Sequence, residues 1–163
     1  MSTRGVIARV GEQEGSFRGV YNHSDSYPTW LGPRLWHILH GRYDGNVSLL
    51  VKETIEDHPC GWSVYGECCY CHDRSEDPTP VMIFTHDDFA SGDDGDSEWL
   101  WVFDPDNKRL FVRDLRYGED LAPIELSGPE PDWEVLECGE HFERCQHCAG
   151  AHLPELKESP LDM

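Results

Sequence analysis

Two Cys-x-x-Cys pairs stand far apart in this chain, Cys68-Cys69-Tyr70-Cys71 and Cys145-Gln146-His147-Cys148. Two residues between cysteines let the backbone turn so that both thiolates reach one metal ion, and four thiolates complete a tetrahedral structural zinc shell. If one ion takes both pairs, everything from Cys68 to Cys148 becomes a metal-closed loop. The expected ligand set is Cys68, Cys71, Cys145 and Cys148. Cys69, His72, Cys138, His141, His147 and His152 are close enough in sequence to replace one of them. Such a shell leaves no position open for a substrate, so the expected zinc ion is structural. Four thiolates also suit iron.

The seven cysteines, an odd number, are expected to serve as metal ligands in a reducing compartment rather than as disulfides. Cys60, Cys69 and Cys138 would then be the surplus, and a redox or metal sensor could use them. No apolar run approaches the ~18 residues of a membrane helix. The start, Met-Ser-Thr-Arg-Gly, lacks the apolar stretch of a signal peptide. A cytoplasmic protein is expected.

The formal charge is −19, and it is uneven. Residues 1–45 carry five Arg against four acids, while the rest carries eight basic residues against 28 acidic ones. Such a charge repels phosphates and anionic membranes and attracts basic partners. Direct binding to nucleic acid or membrane is therefore not expected. A host protein with a basic surface is the expected partner, and the chain could mimic a polyanion. Asp87, Asp88, Asp93, Asp94, Asp96 and Glu98 do not match a twelve-residue calcium loop, so residues 87–98 read as a solvated acidic loop.

Hydrophobic periodicity predicts strands over 4–10 and 16–22, joined as a hairpin. Leu31, Leu35, Ile38 and Leu39 fall on a helical stripe, with Pro33 in the first turn and Gly41 as the residue past its end. Asn46 is placed to cap a second helix reaching Asp57, with Val47, Leu50, Val51 and Ile55 inward. Residues 58–80 read as a cysteine-rich loop and 81–86 as a strand. Residues 99–103 and 110–115 flank a Pro-Asp-Asn turn as a hairpin. Residues 117–131 read as irregular, and 132–137 as a last strand. The fold class that fits is α+β, an antiparallel sheet with a helix pair on one face. One domain over 1–155 would carry zinc-binding segments at 60–72 and 138–152, ahead of a frayed acidic tail at 156–163.

One polar block sits between the second strand and the first helix. His23 and Asp25 lie two apart, and Tyr27 and Arg4 could join them across the hairpin. A histidine beside a carboxylate can act as general base, so a small hydrolase or nucleotide-handling enzyme at Arg4, His23, Asp25 and Tyr27 is the alternative reading. Helix capping by Asp25 or Ser26 would explain the same residues without chemistry. Ser2, exposed as an N-terminal nucleophile by loss of Met1, is a weaker candidate. His37 and His40 fall toward the helix surface. Trp30, Trp36, Trp99 and Trp101 read as core and core edge rather than a stacking platform.

The opening Met-Ser-Thr-Arg-Gly-Val-Ile, followed by Gly-Val-Tyr-Asn-His-Ser-Asp-Ser-Tyr-Pro, resembles a group of small uncharacterised bacteriophage and bacterial proteins. These begin Met-x-Thr-Arg and carry Tyr-x-His-x-Asp-x-Tyr before a short helix. The resemblance covers residues 1–40 and, more loosely, the aromatic hairpin at 98–114. It implies an accessory protein of a phage or mobile element, acting in the host cytosol. It implies no activity, and the cysteine segments fall outside it.

Overall fold

The computed structural model describes residues 3–70, 82–85 and 97–138, with only the backbone described at 82–85 and at Cys138. Its centre is a mixed sheet. The first hairpin forms as expected, β1 (Gly5–Val10) antiparallel to β2 (Ser16–Ser24), with Gly5 opposite Asn22 and Val10 opposite Phe17. The aromatic hairpin also forms, β6 (Trp99–Asp104) against β7 (Arg109–Asp114). The short strands β3 (Trp62–Val64), β4 (Cys68–Cys69), β5 (Met82–Thr85), β8 (Glu119–Asp120) and β9 (Ile124–Glu125) extend this core. The strand order is β4-β3-β2-β1-β6-β7-β8, with β5 on the first half of β2 and β9 on β7.

The sheet is not purely antiparallel, which corrects the expectation. β6 runs parallel to β1, and β3 runs parallel to β2. Parallel neighbours need a long crossover, and the chain supplies one between β2 and β3 as helices. The first is α1 (Pro28–Arg42), and it buries Leu31, Leu35, Trp36 and Leu39. Gly41 stays inside it. The reversal is made by Asp44 and Gly45, at φ 51° and 79°, with the Gly45 amide donating to Leu39 O at 2.9 Å. That is the backward bond of a left-handed helix end. Asn46 caps α2 (Val47–Val51) by accepting from the Leu49 amide at 3.2 Å. The expected second helix then continues as a π turn, Lys52–Glu56, with Asp57 N bonded to Lys52 O at 2.9 Å. Val47, Leu50, Val51 and Ile55 are buried, as their spacing demands.

Residues 132–137 form no strand. They enter α3 (Trp133–Cys138) because the Asp132 carboxylate accepts from the amides of Glu134 and Val135, at 3.1 and 3.2 Å. Two otherwise open helix donors are thereby satisfied. Trp133 and Leu136, three apart, then share one face and join the core. A methyl group at Gly32 would meet the Trp133 ring, so α1 and α3 pack closely there because position 32 has no side chain.

Strand alternation sends side chains to two different layers. Ile7, Val20, Trp99, Trp101, Phe103, Leu110 and Val112 join the helices in the main core. Val6, Ala8, Phe17, Leu100 and Val102 form a second, smaller cluster on the other face, drawn entirely from strands among the described residues. Trp36, Trp99 and Trp101 are buried core and Trp30 is half-buried at its edge, as expected.

Candidate functional site

The β1–β2 loop, the outer face of β6–β7 and residues 120–123 enclose a half-open cavity of about 650 Å³. Its floor is Phe17, Leu100 and Val102, and its walls include Phe111, Leu121 and Pro123. Phe111 faces outward opposite Val102 and remains 37% exposed, one of three large apolar side chains so exposed among the described residues. Gln13 and Glu14 stand on the loop side. Arg113 and Asp120 close the other side, joined by two bonds of 2.6 and 3.0 Å. A second cavity of about 220 Å³ adjoins it beside Glu12. None of these groove residues was identified from sequence. The signal that was available is Phe111 itself, an apolar residue between Arg109 and Arg113 on the polar side of a strand whose inner face already holds Leu110 and Val112.

Cations near this surface and elsewhere are paired with carboxylates of the same chain. Arg9, Arg18, Arg34, Arg42, Lys52, Arg109, Arg113 and Arg116 each contact a carboxylate at 2.6–3.7 Å. Arg9 and Arg18 face one another across the first hairpin and share Glu56, delivered by the π turn. The hydrogen bond from Arg18 holds the Glu56 carboxyl below the ordinary carboxylate range, against an opposing desolvation effect. Each exposed pair adds little stability. Collectively they leave the surplus negative charge as what the surface offers.

The four residues of the alternative site divide between the two faces. His23 lies on the Phe17 and Tyr21 side of β2, bonded through Nδ1 to the Tyr21 hydroxyl at 2.8 Å and packed against the Tyr70 ring. Continuing the register one step past Gly5 and Asn22 sets Arg4 opposite His23. Asp25, at φ 56°, turns the chain away, and Tyr27 packs into the helix-side core. Burial, then the Asp25 and Glu137 carboxylates, raise the Tyr27 phenol, so it keeps its proton. None of the four lines the groove or the cavity beside it.

The start of α1 is not capped by Asp25 or Ser26. Glu137 of α3 accepts there from the Thr29 amide and hydroxyl at 3.3–3.4 Å, and burial raises its carboxyl above the usual range. Ser26 is buried and bonded instead to Asn22, while its carbonyl accepts from Trp101 Nε1 at 2.8 Å. His37 is at the surface, as expected. His40 is half-buried against Trp36, with ring centres 4.4 Å apart.

Of the expected zinc ligands, only Cys68 has a described side chain. It is half-buried in β4, at the edge of the sheet beside β3. Cys69 follows it in the strand, where successive side chains alternate between the two faces. Cys71, His72, His141, Cys145, His147, Cys148 and His152 lie outside the described residues, as do Ser2 and the acidic stretch 87–96. Cys138 ends α3. Among the described residues no group of three His, Cys, Asp or Glu is placed to hold a metal ion. Buried Cys60 is disulfide-bonded, with its partner outside the described side chains, which corrects the expectation that the cysteines stay as thiols. Gly61, at φ 77° and pressed against the Tyr21 backbone, carries the chain from Cys60 into β3.

No described helix is long and apolar enough to cross a membrane. The chain matches no protein-family model, no curated protein and no solved structure.

Proposed function

We propose that this chain is a non-enzymatic, acidic interaction protein. It binds a host protein at that protein's basic surface and modulates it, in the manner of a phage or mobile-element accessory factor. The observation that carries this reading is the disposition of charge. Eight described basic side chains are engaged by carboxylates within the fold, while the chain as a whole carries −19. A surface of that kind repels phosphate and attracts cationic grooves, including those that hold nucleic acid.

A structural zinc ion on Cys68, Cys71, Cys145 and Cys148 belongs to the same proposal, which leaves Cys138 as the cysteine to pair with Cys60. The position of Cys68 at the sheet edge supports it, because a clip there would fasten the later cysteine segment to the sheet. Capture from bacterial lysate at low salt tests the binding reading. The expected result is a basic nucleic-acid-binding protein that added duplex DNA displaces. Recovery of no partner, or of one indifferent to DNA and salt, overturns it. The zinc ion is tested separately by metal content: one zinc per chain is expected, and metal-free native protein rules out the clip.

A further inference from the structure

We propose that the groove beside Phe111 is where the partner is gripped, and that it takes a bulky apolar side chain flanked by lysine or arginine. This rests on the acidic-interaction reading and adds an anchor to it. A purely electrostatic surface would need no apolar cavity. Here Phe17, Leu100 and Val102 form a floor that a Phe, Leu or Trp side chain would cover, at about the volume scale of a small ligand site.

The charge around the opening selects what flanks that side chain. Arg113 is held by Asp120 through two bonds, so this pair presents no net charge. Glu14 is then the uncompensated ionisable group on the lining; the adjoining cavity sets Glu12 beside Arg9 and Arg18, which Glu56 holds, and adds no net charge. An acidic or phosphorylated segment would meet Glu14 and the −19 charge of the chain, while a basic one gains a contact with Glu14 on the loop side. Buried apolar anchors surrounded by polar rims carry most of the energy of protein interfaces. Basic flanks without an anchor would give fast, salt-sensitive, weak association.

The test measures binding of the full-length chain to two short peptides at two salt concentrations. Both peptides carry the same lysines, and one has a central Phe where the other has Gly. The Phe peptide is expected to bind at least about tenfold more tightly, a difference of about 1.4 kcal/mol. That advantage should persist at high salt. Phe111→Ser should remove most of it while leaving the weak binding of the Gly peptide unchanged, and Leu121→Ser should do the same. Thermal melting checks that both variants remain folded. Equal binding of the two peptides overturns the groove and leaves the acidic reading standing. Failure of both peptides to bind at low salt overturns the two together. An undiminished Phe advantage in both folded variants places the anchor elsewhere and also overturns the groove.

Discussion

The two faces of the sheet differ in how completely they are finished. On one, α1, α2, the π turn and α3 cover a layer that includes Trp99, Trp101, Phe103 and Leu110, each at most 1% exposed. On the other, the cluster of Val6, Ala8, Phe17, Leu100 and Val102 runs into an open cavity at Phe111. Apolar surface that the described residues leave open on one face of an otherwise well-covered sheet marks a place for something to bind. The difference teaches that stability and recognition are assigned to opposite sides of the same strands, since Leu110 and Phe111 are neighbours in sequence with opposite fates.

Substitutions can break that division. The largest effect is expected for Trp101→Ala, about 3–5 kcal/mol of lost stability by denaturant unfolding. The side chain is fully buried, and its Nε1 bond to Ser26 O is lost as well. Gly32→Ala should follow, at about 1–3 kcal/mol, because the new methyl collides with the Trp133 ring where α3 docks on α1. A stable Gly32→Ala protein would show that α3 is not a fixed part of the covered face.

Glu56→Gln should cost about 1 kcal/mol or less at neutral pH. Its sign with pH is fixed by the lowered carboxyl. Stability from the Arg9–Glu56–Arg18 cluster is present above the ordinary carboxylate range and is lost as pH falls through the depressed value. The difference between wild type and variant should therefore shrink on acidification, and a gap that widens instead would refute the assignment. The smallest effect belongs to the open face. Phe111→Ser should change stability by about 0.5 kcal/mol or less. A loss comparable to that of Trp101→Ala would mean that Phe111 is core and the groove is not a surface.

Much of the covered face was legible in the chain. The stripe at Leu31, Leu35 and Leu39, the Asn46 cap and the two hairpins are local signals, and the structure keeps them. The parallel pairing of β1 with β6 was not legible, because nothing in either strand encodes a neighbour some ninety positions away. Gly41 offers a helix-end signal, yet the reversal falls at Asp44 and Gly45, three and four positions later, and nothing local to Gly41 distinguishes it from a glycine inside the helix. Residues 132–137 form a helix instead of the expected strand because Trp-Glu-Val-Leu-Glu satisfies both equally, and the Asp132 cap decides between them. The polar block at His23–Tyr27 was visible, yet its division between two faces depends on the turn at Asp25. The groove is not legible because it joins the β1–β2 loop to residues from five strands and to a segment whose sequence reads as irregular.

The most direct test is an NMR titration of the isotope-labelled chain with the lysine-flanked Phe peptide. The account predicts that backbone shifts concentrate at Gly11–Phe17, Leu110–Arg113 and Leu121, with the amides of α1 and α3 unmoved. Shifts concentrated on the helix-covered face, or spread evenly over acidic surface residues with the groove silent, would contradict it.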